Sequence, residues 1–579
     1  MTRWQQYLAL GLEAALVAHG QLTQYGNNEV AVVPDSPEVE DLFPDVDNIE
    51  LLSPAFLSPA TRQDEFAEGL EGPTTTIELD YFIGSIADRN DYMTYRRAEF
   101  SSEEGRSFPY VYISSQNGNG TLSSSSDKLR VWMQGGVHGN EPAGDQSLMA
   151  LLGKMDANQT WTNSLLERMD LLLLFRYNPD GVYYFQRTLA TNFDPNRDHV
   201  KLARQQTRDI KMLFNSFNPH LAADMHEFGA TYYYGPDENL VQGADALFSS
   251  AKNLNIHPSI RQMSEDLFAT QIASDLEAAG FRWEPYATEG ESDDENVLLF
   301  EEADGDARIG RNAYGLTQAI SFLFEVRGIG LADQEFQRRT ACAITMAQSL
   351  LQTAADNADE VISTITTAIE DFISSDDDVV VTARSEIENR TWSMVNIDNA
   401  SLIQQPIQFA STTPKFANLT RARPEAYLIP RAWADIAGRL EVLGVEVQQL
   451  EYGYSGPVEA LNITSSSLDD EYYEGVVLAT VSTRALQKTV DLPPGSYWVS
   501  TRQKNAALAF NVLEVSPPSG WCNVSDFLTP TRSLKTSIHT SRLASYRFSR
   551  RMSTRSLEFW AARRLNAKDN TRCQPLICS

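Results

Sequence analysis

The sequence predicts an α/β protein with a mostly parallel or mixed sheet, helices on both faces of that sheet, and a smaller β-rich accessory domain towards the C-terminus. Strand-like apolar runs alternate with helical patterns over about 76–360, as in chains that build parallel sheets. The run "DLLLLFRY" (170–177) holds consecutive apolar residues, which is typical of a strand covered on both faces. After about residue 385, strand-like pieces with Pro and Gly turns replace the helical patterns.

The first region divides into elements in a regular order. Leu148, Leu151, Leu152 and Met155 follow helical spacing and predict a helix over 144–156. Three further strands are predicted from apolar runs: "KLRVWMQ" (128–134), "HLAADMH" (220–226) and "AISFLFEVRG" (319–328). A helix over 333–356 is predicted after the last of them. We therefore expect one large domain over 76–360.

The C-terminal part is predicted to differ in character from the first. Pieces such as "GVVLATVST" and "GSYWVSTRQ" indicate a β-rich accessory domain over 385–515, and "EDFISSDDDVVV" before it indicates a linker with exposed charges. Residues 526–579 form a basic tail, with 11 Lys+Arg against 3 Asp+Glu in a chain whose net charge is −31. Whether the accessory domain binds a polymer or only supports the larger domain stays open.

The N-terminus indicates export. Residues 1–20 combine Arg3, an apolar run and small residues before a cleavage point after Gly20, which predicts a signal peptide. The run is too short to span a bilayer permanently, and no later stretch reaches ~18 apolar residues. Residues 21–75 are rich in Pro, Asp, Glu and Ser, so little structure is predicted there, and a role as a pro-segment stays open. We therefore predict a secreted, extracellular glycoprotein without membrane attachment after signal cleavage. Seven glycosylation sequons support this prediction: Asn119, Asn158, Asn389, Asn399, Asn418, Asn462 and Asn523.

Charge and cysteine content exclude some classes of partner. A net charge of −31 argues against nucleic acid, because phosphate binding needs clustered Lys and Arg. The four cysteines show neither zinc-knuckle spacing nor a dense disulfide framework. The oligomeric state and the disulfide pairing are not predicted.

Polar residues stand where predicted strands end. His138 and Glu141 lie in the glycine-rich stretch "GGVHGNEPAG", which follows the predicted strand 128–134. His226 is the last residue of the predicted strand 220–226. Glu325 lies in the apolar "SFLFEV", where a charge is costly without a partner or a role. Ligands of open α/β sheets bind beyond the carboxyl ends of the strands, so these four residues are expected in one site. Two imidazoles and one carboxylate are the ligand set of a catalytic zinc with a position open to water.

A structural alternative accompanies each of these assignments. His138 could cap a turn, and Glu141 could be a solvent-facing acid at a helix start. Glu325 could form an ion pair with Arg327, because side chains two apart on a strand share a face.

Motifs in the middle of the region 76–360 resemble those of a known protein family. "NPDG" (178–181) is followed by Arg187 and, nine residues later, by the Asn-Arg pair of "RTLATNFDPNR"; "DMHEFG" and "FEVRG" come later in the same order. Together with the His-x-x-Glu pair, this ordered set resembles the zinc carboxypeptidase family, the carboxypeptidase A superfamily, over roughly 90–355.

The resemblance implies roles for single residues. His138, Glu141 and His226 would be the ligands of one zinc ion per chain, and Glu325 the general base that takes a proton from the zinc-activated water. Arg187 would polarise the scissile carbonyl. The pair Asn196 and Arg197 would bind the terminal carboxylate of a peptide or protein substrate, which implies cleavage from the C-terminus.

Other residues near these motifs receive no role. Tyr314 is only eleven residues before Glu325, so we expect a packing tyrosine rather than the family's substrate tyrosine. Arg308 and Arg311 could touch substrate or be solvated, and His199 and His220 are not expected to be ligands. The preferred C-terminal residue is not predicted.

Two other functions stay open beside a secreted zinc carboxypeptidase. One is a zinc-dependent deacylase that removes an acyl group from an amino acid, since "HGNE" and "NR" recur in that branch of the superfamily. The other is a non-catalytic glycoprotein that kept the fold as a binding module. The retained ligands, arginines and base argue against the second.

Overall fold

The computed structural model describes residues 32–57, 73–115, 127–292, 294, 296–514 and 546–548. The predicted signal peptide, the sequons at Asn119 and Asn523, and the basic tail apart from 546–548 lie outside the described residues. Residues 32–57 contain two single-turn helices, α1 (Pro37–Glu40) and α2 (Pro54–Leu57). This segment packs on the rest of the protein, because Leu51 is part of the main core and the Asp35 carboxylate lies 2.7 Å from Nη2 of Arg327.

Strands and helices alternate from residue 76 to residue 374, and the six of them that were predicted have bounds within three residues of the predicted ones. In chain order they are α3 (Thr76–Arg89), β1 (Met93–Ser101), β2 (Ser107–Ile113), β3 (Leu129–Gln134), α4 (Pro142–Ala157), α5 (Gln159–Leu166), β4 (Met169–Leu174), α6 (Pro179–Tyr184), α7 (Gln205–Phe217), β5 (Leu221–Gly229), β6 (Leu240–Gln242), β7 (Ala246–Ser250), α8 (Pro258–Met263), α9 (Thr270–Ala278), β8 (Trp283–Pro285), β9 (Ala287–Glu289), β10 (Leu299–Glu302), α10 (Gly310–Gly315), β11 (Ile320–Ile329), α11 (Phe336–Asp356) and α12 (Ala358–Ser374).

The largest sheet has eight strands in the order β1-β2-β4-β3-β5-β11-β7-β8. Its centre is parallel, since β3 pairs in parallel with β4 and β5, and β5 with β11. Antiparallel neighbours flank this centre on both sides. The predicted α/β class with a mixed sheet is therefore confirmed.

Both faces of this sheet are covered. Along β3, Val131 and Met133 belong to the main core, whereas Trp132 between them belongs to a second cluster. Helix α4 packs on the first face through Leu148 and Leu152, and α7 packs on the second face through residues such as Phe214. This explains why apolar residues stand on consecutive positions of the central strands: alternate side chains enter different cores.

The C-terminal part is rich in strands, as predicted. Its elements are β12 (Val379–Asn396), β13 (Ser401–Arg421), β14 (Ala426–Ile429), α13 (Ala434–Val442), β15 (Gln448–Gln449), β16 (Tyr454–Tyr473), β17 (Val476–Leu492), β18 (Tyr497–Ser500), α14 (Ala506–Leu513) and β19 (Tyr546–Phe548). One sheet has the order β15-β18-β14-β19-β16-β17, and another has the order β6-β12-β13-β10-β9. The second sheet joins β6, β9 and β10, which precede α12, with β12 and β13, which follow it. In the stretch predicted as a linker, α12 runs to Ser374 and β12 starts at Val379.

Helices long and apolar enough to cross a bilayer are not found in the part of the chain that the structure describes. Cys342 is a free, buried cysteine of α11, and the other three cysteines lie outside the described ranges.

Two helical glycines test how the segment 32–57 is docked. A Cβ at Gly153 of α4 would lie 2.0 Å from the Leu52 carbonyl oxygen, whereas a Cβ at Gly438 of α13 would have nothing within 4 Å. We expect Gly438→Ala to raise the free energy of unfolding by about 0.5–1 kcal/mol, the usual gain of alanine in a helix. Gly153→Ala gains the same helix propensity, but its Cβ must displace the backbone at Leu52. The melting temperature of this variant should therefore fall. Equal increases in thermal melts of the two variants would contradict the docking.

Candidate active site

The loop between β3 and α4 carries the first two candidate ligands. Gly136 has a φ of 60°, a backbone conformation that glycine adopts without strain. A Cβ at Gly139 would lie 1.9 Å from the backbone carbon of Gly181, so this position has no room for a side chain. The two glycines let the loop lie directly on the segment after β4. His138 and Glu141 are thereby held in buried positions at the carboxyl end of β3.

The three predicted ligands meet at one point. His226 lies on β5, and its Nδ1 is 3.1 Å from Nδ1 of His138 and 2.9 Å from Oε2 of Glu141. Nδ1 of His138 is 2.7 Å from Oε1 of Glu141. Burial on its own raises the pKa of Glu141, but the two imidazoles lower it below its usual range. Among the described residues, this is the group whose ligand atoms lie close enough to hold a metal ion.

The donor set fits a zinc ion. Two ring nitrogens that face each other at 3.1 Å can share only one proton. A cation instead accepts lone pairs from both nitrogens and from the carboxylate. Nitrogen and carboxylate donors in this number are the protein ligands of catalytic zinc sites.

Two further aspartates orient the imidazoles. Nε2 of His138 lies 3.1 Å from Oδ1 of Asp194, and Nε2 of His226 lies 3.1 Å from Oδ1 of Asp224. Gln134 at the end of β3 donates to the same Asp224 oxygen. A carboxylate at the far ring nitrogen keeps the proton there, so that the Nδ1 lone pair would be available to a metal ion. Sequence reasoning missed both aspartates; Asp224 could have been found, because it lies two residues before His226 on one strand and shares its face.

Arg187 lies beside the ligand cluster. Its Nη2 donates to Oδ2 of Asp194 at 2.8 Å. Its Nη1 is 3.3 Å from Nδ1 of His138 and 3.4 Å from Oε1 of Glu141. A quarter of the side chain is exposed, so the guanidinium reaches the ligands without being closed off from a substrate.

Asn196 and Arg197 share one turn of 3₁₀ helix, Pro195–Arg197. The side-chain oxygen of Asn196 accepts from the Gly310 N–H at 2.8 Å. The backbone N–H of Asn196 donates to Oδ1 of Asp194. Arg197 is half-buried and donates to the Asn196 carbonyl oxygen. In the described part of the chain, it forms no ion pair with a carboxylate. Its guanidinium is therefore available for an anion.

Glu325 stands next to His226 on the neighbouring parallel strand, in direct register. Burial raises its pKa to about 8, while His226 and Arg187 act in the opposite direction. The alternative ion pair with Arg327 is not formed, because Arg327 contacts Asp35 and Glu335 instead. The structure thus places this carboxyl group beside the ligand cluster rather than in a structural pair.

A tyrosine near this site is Tyr286, between β8 and β9. Burial and the charge of Glu325 raise its pKa, and the charges of Arg197 and Arg311 oppose that rise. No motif distinguishes Tyr286 among 22 tyrosines, so the sequence did not reveal it. Tyr314 packs in the core as expected: it stacks on Phe214 and donates to Gln134.

The remaining candidates lie apart from the ligand cluster. His199 is buried between Tyr177 and Tyr314, and His220 accepts the backbone N–H of Arg130. Arg308 is not simply solvated, since it pairs with Asp306. Arg311 is buried completely.

A hairpin from the C-terminal part reaches this site. Strands β16 and β17 are joined by Glu474 and Gly475, which both have positive φ, as in a type I′ turn. Oε2 of Glu474 accepts the backbone N–H of Asp194 at 2.9 Å, and its carbonyl oxygen accepts from Lys201. The ring of Tyr473 lies 4.7 Å from the Arg308 guanidinium. The hairpin tip therefore forms part of the wall beside the Asn-Arg turn.

Comparison with known proteins finds a matching family model and similar relatives. A family model described as zinc carboxypeptidase matches residues 90–330. "Carboxypeptidase 2" of Trichophyton equinum is 57% identical over 491 residues, which cover 85% of this chain and 91% of the relative. "Carboxypeptidase 2" of Trichophyton rubrum is 55% identical over 512 residues, which cover 88% of this chain and 94% of the relative.

Among solved structures, a metallo-carboxypeptidase from Burkholderia cenocepacia is similar with a TM-score of 0.36 and 15% identity. The match covers 48% of this chain and 69% of that protein.

Proposed function

The chain belongs to the zinc carboxypeptidase family, and we propose that it is a secreted enzyme that hydrolyses the C-terminal peptide bond of peptides or proteins. One observation carries the proposal: Nδ1 of His138, Nδ1 of His226 and the Glu141 carboxylate converge, with Glu325 in register beside His226. These three side chains would hold one zinc ion per chain. A zinc ion there would act as a Lewis acid and lower the pKa of the attacking water.

The chain's own groups divide the proton and charge chemistry. Glu325 accepts the proton of the attacking water and returns it to the leaving amine, which is the work of a general base and acid. Its buried position favours this, since burial keeps its proton affinity high. Arg187, held by Asp194, stabilises the oxyanion that forms at the scissile carbonyl. Such a donor is worth about 3–4 kcal/mol in other enzymes.

The substrate's free carboxylate binds to Asn196 and Arg197. A guanidinium offers a planar pair of N–H donors that matches a carboxylate, and Arg197 is free of an ion pair among the described residues. Tyr286 is a further candidate for this pocket, since the charge of Arg197 acts on its pKa. Recognition of a chain end in this way makes the enzyme an exopeptidase. The names of the relatives also favour a peptidase over the deacylase or a binding module.

Export as a glycoprotein is the second part of the proposal. Each of the five sequon asparagines in the described ranges is exposed: Asn158, Asn389, Asn399, Asn418 and Asn462. Glycan transfer needs such accessible side chains. In a secretory host we expect protein in the medium whose mass falls on enzymatic deglycosylation. Retention inside the cell without a mass change would contradict this part.

Glu325→Gln tests the general base. Glutamine keeps the volume but cannot accept the proton, so kcat should fall by at least about 10²–10⁴-fold, while zinc content and melting temperature stay near those of the wild type. Glu514→Gln is a control, because Glu514 is a buried carboxylate bonded to Arg421 and Tyr427; it should lower the melting temperature and leave kcat unchanged. A stable, zinc-loaded Glu325→Gln enzyme with normal kcat would exclude the mechanism.

Arg197→Ala tests the exopeptidase character. We expect kcat/KM for blocked dipeptides with a free C-terminus to fall at least ~10-fold, and a much smaller change for amidated ones. Arg97→Ala is a matched control, since Arg97 is an exposed arginine paired with Asp80. An equal loss on free and amidated substrates would show that Arg197 is structural.

A further inference from the structure

Arg311 differs from the other completely buried arginines. Arg176 lies 2.7 Å from Asp145, and Arg327 contacts both Asp35 and Glu335. Arg311 is 0% exposed, but within the described ranges no carboxylate lies within ion-pair distance of it. A buried charge without a partner is costly, so its environment calls for a counter-ion.

The hydrogen-bond donors of Arg311 are also incompletely used. Nη2 donates to the Asp304 carbonyl oxygen at 2.8 Å. Nε and Nη1 are buried and have no hydrogen-bond partner among the described residues. Glu302 is the carboxylate whose charge acts on Arg311 most strongly, but it already receives Thr412 N–H and lies 3.1 Å from Nζ of Lys252. Two donors of Arg311 thus remain for a ligand.

The position of Arg311 links it to the proposed substrate pocket. Its neighbour Gly310 donates its N–H to the side chain of Asn196. The guanidinium carbon lies 5.7 Å from the centre of the Tyr286 ring. The charges of Glu325 and Arg197 both act on it. Arg311 is therefore a buried neighbour of the groups proposed to hold the substrate's terminal carboxylate.

We propose that Arg311 binds the side-chain carboxylate of the substrate's C-terminal residue, so that the enzyme prefers aspartate or glutamate at that position. The inference rests on the proposed function. A C-terminal acidic residue carries two carboxylates, and the pocket offers two separate guanidiniums for them. Arg197, which is half-exposed and shares a turn with Asn196, takes the terminal carboxylate. Arg311, which is deeper and unpaired, takes the second carboxylate through Nε and Nη1.

The test compares blocked dipeptides that end in Glu, Gln or Leu, assayed with the full-length zinc-loaded enzyme. Glu and Gln have the same shape, and both carry a free terminal carboxylate. We expect the wild type to cleave the Glu peptide with a kcat/KM at least about 10-fold above that of the Gln peptide, because a site built for a buried charged hydrogen bond rejects the analogue that lacks it. Free glutamate should likewise inhibit at least ~10-fold more strongly than free glutamine.

Arg311→Met and Arg311→Lys separate recognition from folding. Methionine keeps the length and the apolar stem but removes charge and donors, so the preference for Glu over Gln should vanish while cleavage of the Leu peptide persists. Lysine should retain part of the preference. If the Met variant does not fold, the Lys variant and the wild-type ratio of Glu to Gln decide.

Each outcome bears on one of the two proposals. Cleavage of all three peptides without preference for Glu, or an equal loss on all three in Arg311→Met, would overturn the role of Arg311 and leave the carboxypeptidase intact. Absence of cleavage of every peptide with a free C-terminus would overturn the proposed function, and the specificity with it.

Discussion

The carboxylate of Asp194 connects the groups of this site. One oxygen faces Nε2 of His138 and accepts the Asn196 N–H, and the other accepts from Arg187. The side chain thereby connects His138, Arg187 and Asn196, for which we propose the roles of metal ligand, oxyanion donor and carboxylate-binding residue. Burial works against its charge, but His138 and Arg187 lower its pKa well below the usual range. A protonated or displaced Asp194 would disturb all three partners at once.

The parallel centre of the large sheet supplies the rest of the geometry. His226 and Glu325 are neighbours because β5 and β11 run in the same direction and in register. His138 and Glu141 arrive from β3, on the other side of β5. His138 and Glu141 follow the carboxyl end of β3, whereas His226 and Glu325 lie within β5 and β11, three and four residues before those strands end. The proposed ligands and the proposed base therefore meet where β3 stops and its neighbours continue. The rigid core beneath them holds these side chains at short distances.

Sequence patterns predicted those features of the fold and the site that are determined by short segments of the chain. The glycine loop, the strand carrying His226 and the apolar strand carrying Glu325 were assigned because periodicity and placement at strand ends are visible over ten residues or so. The role of Asp194 was not predicted, because a short polar loop has no hydrophobic periodicity from which to place its side chains. The sheet β6-β12-β13-β10-β9 could not be predicted, since pairs such as Gln242 with Met394 are distant in the chain. Arg311 could be named, but its burial and missing partner are properties of the folded pocket alone.

The contact between Glu474 and Asp194 also has a consequence for the order of synthesis. The proposed metal ligands, the arginines and Glu325 leave the ribosome before the turn at Gly475, which follows Glu325 by about 150 residues. At roughly 5–20 residues per second, this interval lasts on the order of 8–30 s. During that time the large sheet can form with its strand ends in place, but the hydrogen bond that holds the backbone of Asp194 does not yet exist. Completion of the proposed catalytic pocket is thus a late event during synthesis of the chain, and it follows translation of a segment that contributes neither a proposed metal ligand nor the proposed general base.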